Sequence, residues 1–161
     1  MNPESVPGAA ALDPSQTKVP LPTQIRELFR EVARRLRRQY FIHVWHMHVG
    51  EGSVVSFKAN LDKTNPRGIH VGQYSVVAFG AAVLTYDPVK RRNLDVHIGD
   101  NCLIGAHAVI LPGVTIGDQC IVAAGCVVTR NIPSCTLVAG NPARVVEKGI
   151  RTDHYGVRIR T

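Results

Sequence analysis

Ile98-Gly99-Asp100-Asn101-Cys102-Leu103-Ile104-Gly105-Ala106-His107-Ala108-Val109-Ile110-Leu111-Pro112-Gly113-Val114-Thr115-Ile116 returns an aliphatic residue at every sixth position, and this period decides the fold. Followed towards the amino terminus, the register takes in Val49, Val55 and Leu61, then Val71, Val77 and Val83 after a four-residue insertion. A nine-residue insertion separates these from Ile98, Ile104, Ile110, Ile116, Val122 and Val128. All twelve hexad starts are Val, Ile or Leu, types that fill 43 of the 161 positions. Chance would place them at about three of the twelve, so the repeat is a structural period.

The second hexad position is small at Gly50, Gly72, Ala78, Gly99, Gly105, Gly117 and Ala123. Glycine there suggests a corner whose backbone angles other side chains resist. The fifth position holds Ser53, Ala59, Ser75, Ala81, Cys102, Ala108, Cys120 and Cys126, as a narrow inward slot requires. Three hexads make an eighteen-residue coil of three short strands, so residues 49–128 predict a mainly β fold, a parallel β-helix of about four coils. At a strand spacing of about 4.8 Å the prism is roughly 20 Å tall, and both of its ends need cover. Cys102, Cys120 and Cys126 are read as core fillers. Cys102 and Cys120 stack one coil apart with parallel Cβ vectors, a poor geometry for a disulfide.

The flanking segments are of another kind. Residues 1–22 carry five of the ten prolines and no periodicity, which predicts a flexible arm. From Thr23, the residues Ile25, Leu28, Phe29, Val32 and Leu36 recur at helical spacing. The expectation is an amphipathic basic helix over 23–40, its apolar stripe against the main body and Arg26, Arg30, Arg34, Arg35, Arg37 and Arg38 in solvent. It serves as a cap for one end of the prism. The β-helix domain is taken as 41–148 and a C-terminal tail as 149–161.

Composition narrows the function classes. Apolar residues are 45% and charged residues 19%, a globular balance. No apolar run reaches the roughly 20 residues of a membrane span, and the polar amino-terminal stretch lacks the apolar core of a secretory signal. A cytoplasmic protein is expected. The four cysteines make no metal-binding spacing, so no metal is predicted. A net charge of +7 points to anionic partners. Contact of the Arg-rich helix with a membrane surface is one such partnership. Nucleic acid is not expected, because neither a pattern of aromatic interleaving nor a known binding motif accompanies the arginines.

The hexads, with Gly105-Ala106-His107-Ala108-Val109-Ile110-Leu111-Pro112-Gly113-Val114-Thr115-Ile116-Gly117-Asp118, resemble the hexapeptide-repeat acyltransferases. The maltose, galactoside and polysaccharide O-acetyltransferase branch is the nearest. The run Val127-Val128-Thr129-Arg130-Asn131-Ile132-Pro133 and the later Val138-Ala139-Gly140-Asn141-Pro142-Ala143-Arg144-Val145-Val146 resemble that branch's closing signature. The resemblance implies a left-handed β-helix, against the usual right-handed crossover, and a homotrimer with active sites between neighbouring prisms. It also implies acetyl-CoA as co-substrate, no metal, and transfer of the acetyl group to a hydroxyl of a sugar or polysaccharide precursor. Amino-sugar N-acetylation and a catalytically silent trimeric ligand-binding or scaffold protein are the alternatives. In the family a histidine takes the acceptor's proton while a backbone N–H steadies the oxyanion. By the same resemblance the cofactor-binding positions are Ala106, Ala124, Thr129, Arg130 and Arg144.

One departure matters. The family's histidine usually lies in the longer insertion, where this chain reads Val83-Leu84-Thr85-Tyr86-Asp87-Pro88-Val89. Tyrosine, with a reference pKa of about 10, is a poor base at neutral pH but can donate a hydrogen bond. The register supplies another histidine. Excising residues 87–95 joins Tyr86 to Val96 and His97, which places both sites at the neck of one loop, about 7 Å apart. His97 precedes an inward aliphatic and so points outward. His70 precedes Val71 in the same column, so the two imidazoles stack. Tyr86 and His97 are the catalytic candidates. His107 flanks the cofactor groove. His46 and His48 are read as sharing one face of a strand, as exposed histidines and not as a metal site.

Overall fold

The computed structural model describes residues 21–159. The flexible arm expected over 1–22 lies, but for its last two residues, outside them. The described residues divide between Val32 and Ala33 into two units. Helix α1 (Leu21–His43) starts in the first and ends in the second.

In the second unit the chain winds as a left-handed parallel β-helix. Its first coil is β1 (His48–Val49), β2 (Val54–Val55) and β3 (Asn60–Leu61). The second is β4 (Ile69–Val71), β5 (Val76–Val77) and β6 (Ala82–Val83). The nine-residue insertion folds as a hairpin, β7 (Tyr86–Asp87) against β8 (Arg92–Asn93). Then come β9 (Val96–Ile98), β10 (Leu103–Ile104) and β11 (Val109–Ile110), followed by β12 (Thr115–Ile116), β13 (Ile121–Val122) and β14 (Val127–Val128). Each coil gives one strand to each face of the prism. The first face is β1-β4-β9-β12, the second contains β2-β5-β10-β13, and the third is β3-β6-β11-β14.

Coil stacking follows the hexad register. Val55, Val77, Ile104 and Val122 pair in line, as do Leu61, Val83, Ile110 and Val128. All twelve hexad starts are buried. The fifth-position slot is more than a matter of size. Ser75 Oγ donates to the Gly99 carbonyl (2.7 Å) and accepts from the Cys102 N–H (2.9 Å). One coil on, Cys102 Sγ donates to the Gly117 carbonyl (3.1 Å). Small polar side chains thus satisfy corner amides that the short strands leave unpaired. Contact with Cys120, and then burial, push the Cys102 thiol well up, so it is an inert core group.

The second-position glycines have a different cause from the one expected. Positive φ falls two residues later, at Tyr74 (51°), Asn101 (53°), His107 (57°) and Gln119 (55°). At Gly72 the constraint is close approach: a Cβ there would lie 2.6 Å from the Gly99 carbonyl carbon of the next coil. Stacked corners leave no room for one.

Both ends are covered. Past the fourth coil, β15 (Thr136–Ala139) continues the second face beyond β13, and β16 (Arg144–Lys148) folds back antiparallel on it. The segment from Gly149 then runs back along the first-to-second corner. Ile150 donates its N–H to the Cys135 carbonyl, Thr152 Oγ1 to Asn101 and the Tyr155 N–H to Tyr74. His154 lies 4.0 Å from the Tyr74 ring.

At the first coil the helix reverses the expected orientation. Arg38 Nε donates to the Val49 and Gly50 carbonyls, both at 3.0 Å, and Arg37 donates to the Ser56 carbonyl. The Arg37 guanidinium also lies 3.9 Å from the centre of the Phe57 ring, and burial lowers its pKa. Leu36, the part of the expected apolar stripe that lies in this unit, is 66% exposed. The reason is that a terminal coil has carbonyls and no strand beyond it. Guanidinium donors satisfy them, and an aliphatic stripe could not. The helix runs three residues past 40 because Phe41 is buried in the core.

Candidate functional site

The corners between faces bring the candidate positions together. Ala106 and Ala124 occupy one corner, between the second and third faces, in successive coils. The Gly125 N–H donates to the Ala106 carbonyl (2.8 Å), which locks the two corners in register. Ala106 is half-buried and Ala124 exposed. Above them the Val127 N–H donates to the Gly140 carbonyl (3.0 Å) and the Ala143 N–H to the Val127 carbonyl (2.8 Å). This sets the turn that leads into Arg144 over the same corner. Arg144 is exposed, and its guanidinium donates to the carbonyl of its neighbour Ala143. Methyl side chains and a guanidinium above them leave an open shelf with a cation at its upper end.

Thr129 and Arg130, both exposed, lie at the opposite end of β14, on the corner between the third and first faces. Asn131 Oδ1 accepts from the Thr115 N–H (2.9 Å) and holds that corner to β12. The expected cofactor positions therefore lie on the two corners that bracket the short third face. His107, in the left-handed region, sets its ring edge-on to Phe79 at 5.2 Å, on the Ala106 side.

The hairpin also springs from the third-to-first corner. Asp62 is its anchor. Oδ2 of Asp62 accepts the N–H groups of Thr85 and Tyr86, both at 3.0 Å, and Oδ1 accepts from Thr64 (2.8 Å). Burial tends to raise the Asp62 pKa, but these backbone donors outweigh it and hold the carboxyl below its ordinary value. The neck closes one residue before Tyr86, where the Leu94 N–H donates to the Thr85 carbonyl (2.8 Å). Tyr86 itself starts β7, pairs with Asn93 and is exposed.

His97 is exposed on the first face, between the buried Val96 and Ile98. Its ring stacks on that of His70, 4.3 Å between centres and 12° between planes. His70 stacks in turn on His48, at 4.4 Å and 16°. Parallel pairing His48↔His70↔His97 puts three imidazoles in one column. The His70 pKa is lowered, first by burial, then by His97 and His48, with Asp95 opposing. The strand expected to carry both His46 and His48 is not formed. Helix α1 runs on to His43, His46 turns with φ 55°, and only His48 enters β1.

Sequence reasoning took His48 as an exposed strand histidine, as it is, but missed its place in the column, and it missed Asp95. His48 precedes Val49 as His70 precedes Val71 and His97 precedes Ile98, so the hexad register carried the signal. Asp95 lies in the insertion, where no register applies.

Comparison with known proteins bears on what this arrangement does. A family model described as the hexapeptide repeat of succinyl-transferase matches residues 95–130. The galactoside O-acetyltransferase of Escherichia coli K12 is 33% identical over 144 residues, 81% of this chain and 70% of that protein. A maltose O-acetyltransferase structure from Clostridium difficile 630 aligns with 31% identity and a TM-score of 0.52, over 63% of this chain and 68% of that one. A hexapeptide-repeat acetyltransferase from Vibrio cholerae, solved with acetyl-coenzyme A, aligns at 28% identity and a TM-score of 0.58, over 63% and 60%.

Proposed function

The chain belongs to the hexapeptide-repeat acetyltransferases, and we propose that it moves an acetyl group from acetyl-CoA to a hydroxyl of a sugar or polysaccharide precursor. The observation that carries this reading is His97, outward on the first face next to the corner that bears the hairpin, Thr129 and Arg130. In a homotrimer that corner would face a neighbouring prism, and the cleft between them would hold both substrates.

In this reading Arg144 and Arg130 meet the cofactor's phosphates as charge-assisted donors. Ala106 and Ala124 leave the shelf clear for its pantetheine arm. His97 accepts the proton of the acceptor hydroxyl as its oxygen bonds to the thioester carbonyl carbon. The carbon–sulfur bond then breaks, the thiolate leaves, and the imidazolium returns the proton to sulfur. Tyr86, at the lip of the hairpin, donates a hydrogen bond to the acceptor.

Support for sugar acceptors comes from the two O-acetyltransferases named above. The test is release of free thiol from acetyl-CoA against a panel of sugars, amino sugars and amino acids. Release that depends on a hydroxylated sugar supports the reading. Release with amino sugars alone moves the acceptor to nitrogen, and cofactor binding with no release across the panel contradicts transfer to sugars.

A further inference from the structure

The first face carries a cluster of which the acyl-transfer reading uses only His97. His70, Asp95 and His97 each bring one ligating atom to within 4.8 Å of the other two. These are two imidazoles and a carboxylate, a donor set suited to divalent ions of intermediate softness such as Zn2+. Their placement has a backbone cause. His70 and His97 are directly paired on adjacent parallel strands, so their Cβ atoms leave the same face side by side. Asp95 precedes β9 by one residue. Its carboxylate sits over Gly68, where a Cβ would come 2.5 Å from Asp95 Oδ1, and Asn65 Nδ2 approaches the same oxygen at 3.4 Å.

We propose that His70, Asp95 and His97 form a divalent transition-metal site on the first face of the prism. Ligand atoms around a tetrahedral ion with bonds of about 2.0–2.2 Å stand roughly 3.3–3.6 Å apart. Drawing the three together from 4.8 Å takes about 1 Å of movement, within reach of rotation about the side-chain torsions of two exposed residues and one half-buried one. Asn65 then acts as the outer partner that fixes the carboxylate. With three protein ligands the fourth position stays open to water or to a ligand oxygen.

The site stands apart from the acetyl-transfer reading except that both use His97. A metal on the His97 nitrogen that would take the acceptor's proton excludes that role, so a bound ion would be an inhibitor of transfer.

The experiment is titration of the full chain with Zn2+ by calorimetry in a non-chelating buffer, with Co2+ absorption in the visible as a second probe. The expected result is one ion per chain and an intense Co2+ band of tetrahedral type. Asp95→Asn and His70→Asn should each weaken binding about tenfold or more. His107→Ala, off the first face, should bind as the parent does. Thermal melting of each variant without metal checks that it folds. No Zn2+ binding at 100 µM ion would overturn the site, as would equal affinity in the parent and in folded Asp95→Asn and His70→Asn. Loss of metal binding in His97→Ala with transfer intact would support the metal site and remove His97 as the base. Loss of transfer with metal binding unchanged would do the reverse.

Discussion

Val76 and Val77 are neighbours on β5 with the same side chain and opposite surroundings, so truncating each to alanine tests the inward register directly. Val77 is fully buried between Val55 and Ile104, whereas Val76 is half-buried on the outer side. Val77→Ala removes two methyl groups from the core, about 1.6 kcal/mol of transfer free energy. The cavity left, roughly 50 Å3, adds about 1.2 kcal/mol if the coil cannot close on it. Ladder pairing on both sides makes collapse difficult, so a cost of about 2–3 kcal/mol is expected. Val76→Ala should cost under about 1 kcal/mol, because it opens no internal space. Urea unfolding at one protein concentration measures both. In melting, Val77→Ala should drop by about 5–10 °C for a chain of this size. Equal costs for the two variants, or a larger one for Val76→Ala, would refute the assignment of the inward face.

Three further outcomes can be checked together. Arg144→Ala should weaken acetyl-CoA binding by about 1–3 kcal/mol in calorimetry, and an unchanged dissociation constant would remove it from the shelf. Asp62 has a depressed pKa in the fold, so its contribution is present above the unfolded value near 3.9 and is lost as pH falls through the folded value. Asp62→Asn should therefore cost about 1 kcal/mol at pH 7 and progressively less as pH falls below about 3.9, so that urea midpoints of variant and parent draw together in acid; a pH-independent difference would contradict this. Tyr86→His should raise the rate of thiol release if the hairpin presents that residue to the cleft, and no gain would show that it does not.

How much of this was legible beforehand depended on whether a residue sat in the repeat. Inside it, periodicity is the physical cause of the fold, and Val49 to Val128 could be assigned inward, and His70 stacked on His97, with no other information. The helix could be located but not oriented. Amphipathicity reports which face is apolar, whereas what the first coil lacked was donors, and Arg37 and Arg38 supply them. Glycine at the second position was visible as a pattern but misread in cause, because close approach and positive φ select the same residue. Asp95 was illegible for another reason: its place over Gly68 depends on how two insertions of different coils meet, and no local period encodes that.

The role proposed for His97, taking the acceptor's proton, is tested by the rate of acceptor-dependent thiol release in His97→Asn, with acetyl-CoA affinity measured on the same sample. The rate should fall about 10²–10⁴-fold with cofactor affinity unchanged. A variant that binds acetyl-CoA and transfers at the parent's rate would show that His97 is not the base.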